Sequence, residues 1–146
     1  MTFPSPQRIL WGGYFLLIVT VIVFGDSLHT AYIYPVVAPI VVLEICSWAN
    51  LRPYYLSGVA VIIYLTMLVY LSINWFSSNL EGFLVIGHFL SLSGLIVGSI
   101  ALAKWDRVGT CGPAASLFLA TVGAGIGFLV AQALVCNAVM FCGGLS

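Results

Sequence analysis

Five long apolar runs, separated by short polar breaks, constrain this chain more than any motif in it. They fall at 9–24, 31–51, 54–76, 83–103 and 114–139. About 20 helical residues cross a hydrocarbon core of ~30 Å, and in lipid only a helix or a closed barrel satisfies its own backbone. Continuous runs of this length specify helices. The expected fold is an all-α integral membrane protein, with 1–146 as one domain and a single bundle of five transmembrane helices. Of the 146 residues, 62% are hydrophobic and only 5% charged. Soluble domains carry about 25% charged residues, so a water-soluble fold is excluded. The net charge of zero argues against nucleic acid as a partner. The loops are too short to hold a soluble catalytic site.

Arg8 followed by the first run has the outline of a signal peptide. No A-x-A-like cleavage site follows, so the run reads as an uncleaved first helix. The competing arrangement has four helices with the first run re-entrant. Five spans place the termini on opposite sides of the membrane. Arg8, Arg52, Lys104 and Arg107 are all the basic residues of the chain, and all are cytoplasmic if the N-terminus is inside. Ser146 is then outside. Trp11, Trp48, Tyr54 and Trp105 form the inner aromatic belt; Tyr32, Trp75 and Phe76 form the outer one. The implied setting is the inner or plasma membrane of a bacterium, with lipids as the constant partner.

The second run is the expected hub of the bundle. It holds Pro35, Pro39 and Glu44, the one carboxylate well inside an apolar run. Counted from the end of the run, Glu44 lies roughly 10 Å deep. A central charge costs about 3 kcal/mol on insertion scales, and Glu is too short to snorkel that far. The structural reading is a buried pin, either protonated or paired with Lys104, Arg52 or Arg107. The functional reading is a carboxylate that handles a proton or cation, beside a helix broken at its prolines. The pin is preferred, and it requires Val41, Ser47 and Trp48 to be buried with Glu44.

Small residues mark the last two helices. Gly87, Ser91, Gly94 and Gly98 lie on one face of the fourth, and Ala120, Ala124, Gly127 and Ala131 on one face of the fifth. Such faces let backbones approach closely. An antiparallel hairpin pairs Gly87 with Ala131, Ser91 with Gly127, Gly94 with Ala124 and Gly98 with Ala120. The Gly123–Gly127 string is no nucleotide fingerprint, because no strand precedes it.

Polar chemistry is sparse. His88 lies in the outer half of the fourth helix, Gln132 falls at similar depth on the fifth, and His29 sits at the outer rim. His29 and His88 on different helices have the placement of axial ligands of haem b, or of a quinone-site pair. The plainer expectation has His88 bonded to Gln132 or Ser91 and His29 in water. No cofactor, metal or catalytic residue is predicted. Cys46, Cys111, Cys136 and Cys142 read first as isolated small hydrophobes, and none has zinc spacing; the alternative for Cys136 and Cys142, on the outer side, is a bridge that requires the fifth helix to end near Asn137. Three functions fit. The first is an accessory or assembly subunit of a larger membrane complex, favoured for its minimal loops. The second is a small oligomeric transporter or channel using Glu44. The third is a redox membrane subunit using His88. Other membrane subunits or further copies of the chain are the expected protein partners.

Overall fold

The structure is a computed structural model that describes residues 5–24, 33–76, 82–107 and 112–138. These form five α-helices, with no strand among the described residues: α1 Pro6–Phe24, α2 Ile33–Trp48, α3 Pro53–Phe76, α4 Gly82–Arg107 and α5 Pro113–Ala138. Four of them, α1, α3, α4 and α5, are long and apolar enough to cross a membrane. The 16 described residues of α2 span about 24 Å. The expected start of that run at Ala31 lies outside the described residues.

Helix ends differ from the sequence reading in an instructive way. α1, α3 and α5 begin at Pro6, Pro53 and Pro113, before the expected starts at 9, 54 and 114. At the first helical position proline has no N–H to leave unpaired, and its φ is already helical. α2 stops at Trp48 rather than Leu51. Asn50 turns the chain out with φ 53°, a region Asn tolerates, and its N–H donates to the Ser47 carbonyl at 2.9 Å. α4 runs four residues past Ala103 to Arg107, because a charge ends an apolar pattern without ending a helix.

Hydrogen bonds between helices fix their directions. Ser57 Oγ donates to the Pro6 carbonyl at 3.2 Å, and the Tyr64 hydroxyl to the Leu10 carbonyl at 3.1 Å. The N-terminal halves of α1 and α3 therefore lie side by side. The Tyr55 hydroxyl donates to the Ser99 carbonyl at 2.6 Å, joining the start of α3 to the end of α4. Ser91 Oγ lies 2.5 Å from Gln132 Oε1, joining the start of α4 to the end of α5. The helices alternate up and down. This gathers Arg8, Arg52 and Lys104 at one end, with Trp11, Trp48 and Trp105 exposed beside them.

α3 occupies the centre and touches all four other helices. Its Tyr55, Val59, Ala60, Ile63 and Met67 are fully enclosed. The expectation that the second helix is the hub is therefore corrected. α2 turns a narrow stripe of Pro35, Ala38, Pro39, Val42 and Cys46 inward and stands at the edge of the bundle. Pro35 lies in its first turn, where a missing N–H has no intrahelical partner to lose. Pro39 is the proline inside the helix.

The most extensive helix pair is α4 with α5, and small residues line the seam. Gly94 packs on the Gly127 carbonyl and on Ala131, while Gly98 packs on Gly123 and Gly127. A β-carbon at either glycine would collide with the backbone of α5. The register differs from the expected one: Gly94 does not meet Ala124, nor Gly98 Ala120. The two helices are slipped by about five residues, roughly 7 Å. A third helix explains the slip, since Ala120 and the Leu117 carbonyl lie against Gly58 of α3. Pairwise counting between two helices left α3 out.

Candidate functional site

Two places combine polar chemistry with an unusual position: the imidazole of His88 and the outward face of α2. At the first, four helices converge. His88 of α4 is only 7% exposed, and its Nδ1 lies 2.6 Å from the Tyr34 hydroxyl of α2. Tyr70 of α3 and Phe128 of α5 place their rings 5.2 and 5.4 Å from the imidazole, and Tyr34 meets Tyr70 edge-on at 5.7 Å. Edge and tilted packing at these separations is the arrangement aromatic quadrupoles favour. One ring edge of His88 is thus tied to α2. The other nitrogen, Nε2, is buried without a hydrogen bond. The Thr66 carbonyl of α3 also faces the imidazole, but outside hydrogen-bond geometry.

Beside this cluster a cleft of about 440 Å³ opens between α3 and α5. Its inner wall holds Thr66, Tyr70, His88 and Gln132, and Leu65, Val69 and Leu129 line it as well. Those three leucine and valine side chains are exposed on the outside of the bundle, so the cleft faces the medium surrounding the helices. Gln132 is held by Ser91 on one side, and its Nε2 donates to the Cys136 sulfur at 3.7 Å on the other. His88 and Gln132 therefore share one cleft but do not bond to each other: Ser91 takes Gln132, and Tyr34 takes His88. His29 lies outside the described residues.

Tyr34 and Tyr70 were missed by the sequence reading, which assigned aromatics only to membrane belts. A phenol far from either end of an apolar run is the signal that could have found Tyr70. Buried in an apolar setting, its hydroxyl needs a partner.

At the second place the sequence reading is reversed. Glu44 is exposed, and its carboxylate makes no hydrogen bond or ion pair among the described residues. It lies two residues from both Val42 and Cys46, which are buried at 3% and 0%. Two residues are about 200° of helix, so Glu44 points away from the core. Val41 and Trp48, expected to be buried with it, are 47% and 82% exposed, and Ser47 is exposed as well. Val37, Val41, Glu44 and Trp48 form one outward stripe, with the carboxylate one turn inside Trp48.

The enclosed carboxylate is instead Asp106, at 2% exposure, which falls in the polar break between the fourth and fifth apolar runs of the sequence. Its Oδ1 and the Ser116 Oγ of α5 are buried without hydrogen bonds, and Asp106 is close enough to Tyr55 to interact with it electrostatically. Cys46 is a buried free thiol. Cys136 is disulfide-bonded, which corrects its reading as an isolated hydrophobe; its partner lies outside the described residues. No three His, Cys, Asp or Glu side chains among the described residues come together as a metal site requires.

Comparison with known protein families, characterised proteins and solved structures finds no match.

Proposed function

We propose that this chain is a small accessory subunit of a larger membrane complex, docked through the outward face of α2. The observation that carries the reading is Glu44, exposed and unpaired on an apolar stripe. A carboxylate facing lipid below the aromatic belt is costly, and membrane proteins pair such groups or turn them to a cavity. The bundle offers it neither. A partner helix presenting Lys, Arg or a cluster of hydroxyls supplies what is missing. A transport pathway through a single bundle is not favoured, since Glu44 turns away from the core and the cleft lies elsewhere; an oligomeric transporter would need Glu44 at the contact between copies.

The proposed topology has the N-terminus inside and the C-terminus outside, in a bacterial inner or plasma membrane. The cluster of Arg8, Arg52 and Lys104 at one end supports it. So does the disulfide of Cys136 near the opposite end, because disulfides persist on the oxidising side.

Purification in mild detergent tests the proposal. The wild-type chain should retain a stoichiometric membrane partner, and Glu44→Leu should release it while leaving the bundle folded. Leu is favoured over an acidic residue in a membrane helix by about 3 kcal/mol on insertion scales, so the variant should unfold no earlier than wild type. Retention of the partner by Glu44→Leu would contradict the docking role.

A further inference from the structure

We infer that the cleft between α3 and α5 is a binding site for a lipid-soluble carbonyl compound, a quinone head carrying an aliphatic or prenyl tail. This goes beyond the docking role and rests on different residues: the cleft is lined by α3, α4 and α5, and the one α2 residue it uses, Tyr34, is not on the outward stripe of Glu44.

Three features specify the ligand class. The first is size: about 440 Å³ falls within the 300–1,000 Å³ of small-molecule sites. The second is the division of the walls. The outward part is Leu65, Val69 and Leu129, which suits a tail lying against the bundle in lipid. The inner part gathers Tyr70, His88 and Gln132. The third is the unused hydrogen-bonding capacity on that inner wall. We assign Tyr34 as the donor to Nδ1, the tautomer that carries the imidazole proton on Nε2. That Nε2 is buried and makes no hydrogen bond; the Thr66 carbonyl faces the ring without closing one, and a buried polar group left so requires an explanation. Tyr34 does not line the cleft and His88 does, so the ring edge away from Tyr34 is the one turned toward it. Tyr70 lines the same wall, and its hydroxyl is assigned as a second donor. Two such donors and no ionised group on the wall select a neutral acceptor, which a quinone carbonyl is and a fatty acid carboxylate or plain hydrocarbon is not. Nε2 is itself enclosed, so head binding includes side-chain rotation around it, an adjustment common at binding sites.

The test uses the full chain in lipid nanodiscs, with empty nanodiscs subtracting simple partition. The probe is a 1,4-benzoquinone bearing a ten-carbon chain, and decylbenzene is the tail-matched control without carbonyls. Saturable binding of one quinone per chain is expected, with decylbenzene at least tenfold weaker. Tyr70→Phe removes one hydroxyl and should weaken binding about threefold to tenfold, the worth of one hydrogen bond. Gly125→Leu fills the cleft and should weaken binding at least tenfold. A β-carbon at Gly125 meets only Ile62 Cδ1 at 3.7 Å, ordinary contact, so this variant should keep the wild-type melting temperature. The inference is overturned if protein-loaded discs take up no more quinone than empty ones, if decylbenzene binds equally well, or if folded Gly125→Leu binds like wild type.

Discussion

Tyr34, Tyr55 and Tyr64 each bring a phenol to a polar atom on another helix. Hydrophobic burial does not hold helices together in lipid, so van der Waals packing and such bonds between helices carry the association. Hydrogen bonds between membrane helices are nonetheless worth only about 0.6 kcal/mol on average. Tyr64→Phe should therefore lower stability by about 0.5–1 kcal/mol, measured by reversible unfolding in mixed micelles. A loss above ~2 kcal/mol would mean that the hydroxyl does more than bond to Leu10. At this scale the sequence was a poor guide. Glu44 was placed inside, and Asp106 falls in a polar break yet is enclosed, because polarity alone does not say which way a side chain points. Direction follows from the helix phase, which the small and proline residues of α2 set by turning Pro35, Ala38 and Val42 inward.

At the scale of elements the sequence was far more legible. The five runs of low charge became five helices, and the small-residue faces of α4 and α5 do meet. Their register was not legible, because Ala120 and Leu117 also pack against Gly58 of α3. Gly94→Leu and Gly98→Leu should each wedge α4 from α5, an overpacking cost of about 1–3 kcal/mol. A compensating pair decides the register. Ala131→Gly should partly rescue the stability lost in Gly94→Ala, since a β-carbon at Gly94 meets that of Ala131. Ala124→Gly should not. The reverse result would restore the register expected from sequence.

For the whole molecule, alternating helices bring the basic residues to one end, and the proposed orientation follows the positive-inside rule in placing that end in the cytoplasm. Reporter fusions at Ser78 and Ser146 should read external and one at Gly109 internal; a cytoplasmic signal from Ser146 would contradict the orientation. The arrangement around α3 leaves α2 at the edge with its carboxylate outward, and the docking role rests on that placement. Photo-crosslinking residues at Val41 and Trp48, with Val130 on α5 as the comparison, test it in native membranes. The account predicts one discrete adduct with a second, different polypeptide from the two α2 positions, absent from Val130 and abolished by Glu44→Leu. Adducts only with lipid, or only at twice the mass of this chain, would contradict it.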